Sequence, residues 1–309
     1  MQIPPPGRTI MPAIVECVPN FSEGRKKEVV DRIVYSIRSV PGVKVLDVEM
    51  DPDHNRSVVT FVGNKETVQE GAFRGARAAR ELIDLTKHKG QHPRMGALDV
   101  LPFVPLSGVT MEDCVEIADK VGSRIARELK IPVYLYEAAA KRPERKNLEN
   151  VRRGEFEGLR DAIVKDGTKY PDYGPRMVHP TAGATAVGAR MPLIAFNVNL
   201  DSDNLAAAKQ IAKKIRASSG GMPNVKALGF ALEKRGVVQV SMNLTDYTVT
   251  PISKVFDAVQ KEAKAKKIGI VEGELIGLIP LDAVCDVAAR FLKMGSFTSS
   301  QVLERRIWG

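Results

Sequence analysis

Apolar and polar positions along this chain repeat with two periods, and the switch between them comes in the same order twice. Ala13–Pro19 reads as a strand and Asn20-Phe21-Ser22-Glu23-Gly24 as the turn after it. From about Arg25 to Val40, Val29, Val30, Ile33 and Ile37 share one face at helical spacing. Pro41-Gly42 ends that helix. Val43–Val48 and Ser57–Val62 read as strands flanking the turn Asp51-Pro52-Asp53-His54-Asn55. An Ala-rich helix over Lys65–Ile83 and a strand around Asp99–Val104 complete a β-α-β-β-α-β series. A further helix near Met111–Leu129 and a strand at Pro132–Tyr136 follow it.

The second pass gives a strand at Pro192–Leu200 and a helix reaching Arg216, with Asp201-Ser202-Asp203 as its cap. Val225–Leu232 and Val237–Asn243 form a hairpin, Pro251–Lys266 a helix and Gly269–Ile279 a strand. Each half thus has the split βαβ order. The pattern predicts an α/β (α+β) protein of two tandem ferredoxin-like (βαββαβ) subdomains with a cleft between them. The expected divisions are a flexible tail at 1–12, a first subdomain at 13–183 and a second at 184–309. Between the halves, Lys141-Arg142-Pro143-Glu144-Arg145-Lys146 reads as a charged linker. The Pro- and Gly-rich stretch ending at Gly183 reads as a long loop, functional or disordered. Its few charges and two tyrosines favour an ordered loop lying against something.

Composition narrows the class. The 309 residues are 44% hydrophobic and 27% charged, as in ordinary globular proteins. No apolar run is long enough for a membrane helix, and the first residues lack the apolar core of a secretory signal. Three scattered cysteines form neither a disulfide framework nor a zinc knuckle, which makes the cytoplasm the expected compartment. The net charge of +9 raises nucleic acid as a partner. Against it, aromatics are only 6%, too few for stacking platforms, and no zinc-finger, basic-zipper or RNA-recognition motif appears. An anionic small molecule drawn to a basic cleft fits at least as well.

Two of the four histidines fall in one polar run, His88-Lys89-Gly90-Gln91-His92-Pro93-Arg94-Met95-Gly96. Its Gly and Pro residues make it a loop. An imidazole that titrates near neutral pH stands there beside an Arg whose fork fits a carboxylate. That pairing suits acid/base work on an acidic substrate; a solvated basic turn has the same residue types. His88 and His92 are four apart, but Gly90 spoils a helical ligand pair and no third ligand follows, so no metal is expected. His54 reads as a turn residue. Gly183-Ala184-Thr185-Ala186-Val187-Gly188 lacks the Lys of a P-loop.

Longer motifs carry a resemblance. Glu16-Cys17-Val18-Pro19-Asn20-Phe21-Ser22-Glu23-Gly24, Asn55-Arg56-Ser57-Val58 and Gly90-Gln91-His92-Pro93-Arg94-Met95-Gly96-Ala97-Leu98-Asp99-Val100 resemble the glutamate formiminotransferase family. So do Pro132-Val133-Tyr134-Leu135-Tyr136, Phe196-Asn197-Val198-Asn199-Leu200 and Gln239-Val240-Ser241-Met242-Asn243-Leu244, in the family's order. The likeness runs from about Ile14 to about Phe291.

The resemblance implies two ferredoxin-like subdomains and transfer of a formimino group from N-formiminoglutamate to N5 of tetrahydrofolate, in histidine degradation. Tetrahydrofolate is then a co-substrate, the partners are small molecules, neither nucleic acid nor membrane, and the assembly is a homodimer. The animal relatives carry a cyclodeaminase domain next, which a chain ending at Gly309 is expected to lack. Matched residue by residue, His92 falls on the catalytic proton carrier. The folate-contacting loop falls on Gly174, Pro175, Arg176, Met177, Val178, His179, Pro180, Thr181, Ala182 and Gly183. Arg176 to His179 and Ala182 depart from the animal sequence there, and Gln91 replaces a Glu frequent in the family, a change that bears on the tuning of His92. Because both substrates bring carboxylates, Arg94 is expected to bind one. Asn20 is expected to hold a polar substrate atom, or else to cap its turn. Transfer of a formyl group between 5-formyltetrahydrofolate and glutamate, or folate binding without turnover, fits the same residues.

Overall fold

The computed structural model describes residues 13–90 and 92–308. The chain divides into two units after Arg190. The tail expected at 1–12 and position 91 lie outside the described residues.

In the first unit, β1 (Ile14–Cys17) and β2 (Asn20–Phe21) are two pieces of one strand, parted at Val18 and Pro19. Proline has no N–H to give a ladder, so the pairing breaks there. Helix α1 (Lys27–Arg38), β3 (Lys44–Asp51), β4 (Arg56–Gly63), α2 (Lys65–Leu82) and β5 (Leu98–Ser107) follow. The strands pair antiparallel in the order β3-β4-β1/β2-β5, the expected split βαβ arrangement. Alternation in β4 buries Val59 and Phe61 completely, and α1 closes over that face with Val30, Ile33, Val34 and Ile37. Each such side chain contributes about 1.5–3 kcal/mol by leaving water. The two inner glycines of α2 have a steric cause. A Cβ at Gly71 would stand 3.1 Å from the Phe61 ring, and one at Gly75 3.1 Å from Ile37. Its start is fixed by a reciprocal cap: the Asn64 side chain accepts from Thr67 N–H, and Thr67 Oγ1 accepts from Asn64 N–H.

Helix α3 (Met111–Arg124) leads to β6 (Val133–Glu137), and the chain then departs from expectation. The residues read as a charged linker hold only a short turn of helix at Pro143–Arg145, and beyond them α4 (Leu148–Arg152) and α5 (Glu155–Lys165), for which no element was expected, belong to the first core. Phe156, Leu159 and Ile163 are buried there, and Arg145 is buried in a 2.6 Å ion pair with Asp172. After the loop comes β7 (Thr185–Ala189), inserted parallel between β5 and β6 to make a seven-stranded sheet. All five residues of β7 are buried. The division expected at 183/184 therefore falls after Arg190, because β7 is an inner strand of the first sheet.

The second unit is the plainer repeat: β8 (Ile194–Asp201), α6 (Leu205–Ile215), β9 (Val225–Leu232), β10 (Val237–Leu244), α7 (Ile252–Ala265) and β11 (Gly269–Ile276). Its sheet order is β11-β8-β10-β9. Val198, Leu200, Ile211, Val240, Val255 and Val259 form its core. Asn204, rather than the expected Asp201-Ser202-Asp203, caps α6 through its side chain, which accepts from Ala207 N–H at 3.1 Å. Two helices, α8 (Leu281–Phe291) and α9 (Leu303–Trp308), end the unit. Among the described residues no helix is long and apolar enough to cross a membrane.

Candidate active site

The loop that carries His92 is held by the β3–β4 turn. Asn55, in the left-handed region with φ 52°, accepts from Gly24 N–H at Oδ1 (2.9 Å) and donates from Nδ2 to Lys89 O (3.1 Å). The backbone oxygen of Asn55 accepts from His88 Nε2 at 2.8 Å, and that of His54 accepts from His92 N–H at 3.3 Å. Gly90 lies so close that a Cβ there would be 2.3 Å from His54 O. His54 is thus a turn residue, as expected. Its Nδ1 meets Asp51 at 2.6 Å.

His92 is buried, and its Nε2 lies 3.1 Å from Oδ2 of fully buried Asp99. A bulge positions Asp99. From Asn20 to Phe21 the register advances one residue in β2 and two in β5, from Val100 to Leu98. Asp99 is the extra residue, and a bulge re-aims its side chain out of the regular alternation. Its Oδ1 accepts from Met95 N–H at 2.7 Å, and its Oδ2 also accepts from Arg152 at 2.5 Å. Burial pushes the Asp99 carboxyl upward, but the Arg152 charge and the His92 and Met95 hydrogen bonds outweigh it and hold the pKa at about 2. An ionised Asp99 only accepts, so Nε2 of His92 carries the hydrogen and Nδ1 is the basic nitrogen. Burial lowers the His92 pKa below 6.5; Asp99 opposes that and the charges of Arg152 and Arg56 add to it. The imidazole is therefore neutral at neutral pH and ready to accept a proton.

The two stretches singled out in the sequence are joined. Gly96 and Gly183 form an antiparallel bridge, Ala97 N–H donates to Ala182 O at 2.9 Å and Ala184 N–H to Met95 O at 2.9 Å. Ser22 joins the same knot, donating from N to Ala97 O (2.9 Å) and from Oγ to Gly96 O (2.7 Å). The stalk of the loop is a tight hairpin in which His179 and Gly183 exchange backbone hydrogen bonds of 2.9 Å. Ala182 N–H also donates to Nδ1 of His179 at 3.0 Å. Val178 and Ala182 are buried; Gly174, Arg176, Met177 and Pro180 are exposed. At the far end Gly174, with φ 91°, sits where a Cβ would be 3.2 Å from Ile131 O. The loop is ordered and lies against the first unit, as its composition suggested.

Arg94 departs from expectation. Its guanidinium is buried in a bidentate pair with Glu157 (2.7 and 2.8 Å), reaches Glu155 at 3.3 Å, and donates from Nε to His88 Nδ1 at 3.1 Å. The fork expected to hold a substrate carboxylate is already occupied by two protein carboxylates that sit beyond the sequence motif, on α5. Asn20 lies in β2, not in the turn expected there; it is half-buried and its side chain donates to Val18 O at 3.1 Å.

Three residues that line His92 were not read from the sequence. Asp99 was quoted only as part of a motif, though an acid at the start of an apolar strand was a signal. Arg152 lies beyond the charged linker, in a stretch for which no element was expected. Arg56 stands beside the Asp-His-Asn turn. Among the described residues, neither the guanidinium Nε of Arg56 nor that of Arg152, both buried, has a hydrogen-bond partner. Among the described residues no group of three or more His, Cys, Asp or Glu side chains converges to hold a metal ion.

The chain is similar to known proteins over most of its length. Residues 14–190 match the formiminotransferase domain, N-terminal subdomain, and residues 195–305 match the formiminotransferase domain. A glutamate formimidoyltransferase of Streptococcus pyogenes serotype M1 is 49% identical over 300 residues, 97% of this chain and 100% of the relative. One from Thermoplasma acidophilum is 49% identical over 297 residues, covering 96% and 97%. The formimidoyltransferase-cyclodeaminase of Mus musculus is 47% identical over 285 residues, 90% of this chain and 52% of that longer protein.

Proposed function

The chain belongs to the formiminotransferase family, and from that premise we propose that it is a glutamate formimidoyltransferase, moving the formimino group of N-formimino-L-glutamate to N5 of tetrahydrofolate. The reaction forms a bond between N5 and the amidine carbon and breaks the bond from that carbon to the glutamate nitrogen. One proton must leave N5, and one must reach the departing nitrogen. His92 is suited to both transfers: Nδ1 accepts the first proton as a neutral base, and the imidazolium so formed returns one to the glutamate nitrogen. Asp99 fixes the tautomer that leaves Nδ1 basic and stabilises the imidazolium while it lasts. The bulge that aims Asp99 is thus the structural origin of the orientation.

The single observation that carries the reading is the buried His92–Asp99 pair at 3.1 Å on a chain of this family. We assign the loop from Gly174 to Gly183 to the folate, on the family match and on the backbone bridge that ties its stalk to Gly96. Its glycines permit close backbone approach to a flat ring system.

The test is turnover by purified protein of tetrahydrofolate with N-formimino-L-glutamate, followed as glutamate release, beside 5-formyltetrahydrofolate with glutamate. The first pair should react, and His92→Ala should slow it by about 10²-fold or more. Reaction of the second pair alone would change the donor. Folate binding with no turnover of either pair would overturn the enzyme reading.

A further inference from the structure

Beside His92 lie two guanidinium groups with donors that none of the described residues takes up. Arg152 gives one guanidinium nitrogen to Asp99 and keeps a buried Nε–H with no partner. Arg56 likewise has a buried, unpartnered Nε–H. The acids that act on Arg56 are Asp51, across the hairpin and bound to His54, Glu49 on the strand of Asp51, and Asp99, which already accepts from three donors; among the described residues none of them meets the Nε–H. A buried N–H left unsatisfied on a charged group is costly, and a ligand that accepts from it removes that cost. Two orphaned guanidinium donors beside an acid/base imidazole are an anion site.

We propose that Arg56 and Arg152 together bind the α-carboxylate of the glutamate moiety, the task expected of Arg94. The assignment rests on the formimidoyltransferase reading. The choice of carboxylate follows from bond counting. If His92 protonates the departing glutamate nitrogen, the α-carboxylate, on the carbon bearing that nitrogen, is held close to the imidazole. Arg152 donates to the same Asp99 oxygen that Nε2 of His92 meets, so its guanidinium lies beside the imidazole, at its Nε2 edge. The γ-carboxylate, two methylenes further out, has no such constraint.

The experiment compares wild type with Arg56→Gln, using N-formimino-L-glutamate and its α-amide, N-formimino-isoglutamine, as donors. The wild type should prefer the acid over the α-amide. In Arg56→Gln the donor KM should rise about 10- to 100-fold, the range of a lost charged hydrogen bond, and the preference should collapse. The tetrahydrofolate KM should move less than threefold. Direct titration with L-glutamate, without turnover, should show the same weakening. If Arg56→Gln fails to fold, as judged by circular dichroism, Arg56→Lys and Arg152→Lys keep the charge but lose the Nε–H. Each should then raise the donor KM while tetrahydrofolate binding holds. Unchanged donor KM and unchanged acid-over-amide preference in a folded variant would overturn the assignment while leaving the enzyme reading intact. A wild type inert with both donors but binding folate would instead sink the enzyme reading.

Discussion

Gly96 and Gly183 face each other across an antiparallel bridge so close that neither accepts a side chain. A Cβ on Gly96 would be 1.9 Å from Ala184 O, and one on Gly183, which has φ 69°, 2.2 Å from Met95 O. This contact joins the strand that carries Asp99 to the loop assigned to folate, so the geometry of both depends on it. Gly183→Ala should cost about 2 kcal/mol or more, combining left-handed strain with a backbone clash. Thermal unfolding would show it. Tetrahydrofolate affinity should fall with it, since the stalk cannot keep its place. A variant with wild-type melting temperature would remove the bridge from this role.

How much of this was legible in the sequence depended on whether a residue's role was set by its neighbours along the chain or across it. Strands with one buried face announced themselves: β4 and β10 alternate, and their bounds were read to within about two residues. Strand β7 did not, because it is covered on both faces and made of small residues, so it has no alternation. Helices α4 and α5 were hidden by their charges, several of which are committed to ion pairs with residues more than fifty positions away. His92 was singled out because an imidazole in a polar loop, within a long motif, is visible in the sequence itself. Asp99 acquires its role from a bulge and Arg152 from a contact across 53 residues, and neither leaves a local periodic trace. Arg94 shows the converse. Its fork was expected to hold a substrate carboxylate, and in the structure it holds Glu155 and Glu157.

Arg94 should accordingly behave as a structural residue. Removing it as Arg94→Leu leaves Glu157 and Glu155 without their partner and His88 without the donor at Nδ1. Melting temperature should drop, while the donor KM should change far less than in Arg56→Gln. Equal KM effects in the two variants would restore Arg94 as a substrate ligand.

Asp99 acts through His92, and its removal has a signature beyond loss of rate. Asp99→Asn can no longer enforce the Nε2–H tautomer, so turnover should fall by about 10²-fold or more. Asp99 also favours the charged imidazole, against burial and the two arginines. Without it the His92 pKa falls further, and the acid limb of kcat/KM should move to lower pH. A merely architectural carboxylate would reduce activity without moving that limb. The pH profiles of wild type and Asp99→Asn separate the two cases.

Stability should carry the same titrations. Burial lowers the pKa of His88, His92 and His179 in the folded protein, so between the folded values and 6.5 the unfolded chain binds more protons. The sign follows: this contribution is complete above 6.5 and is lost as pH falls through the depressed folded values. Asp99 adds a second window, because its carboxyl titrates at about 2 in the fold against 3.8 when free, and its contribution disappears as pH falls from the upper value toward the lower. Melting temperature should therefore decline on acidification below 6.5, with a second decline below about 4. His92→Gln should flatten the first decline without abolishing it, since His88 and His179 still titrate, and should leave the Asp99 window in place. A first decline as steep in His92→Gln as in the wild type would mean that the imidazole is not held neutral by burial, and the neutral base required for proton transfer would have to be sought elsewhere.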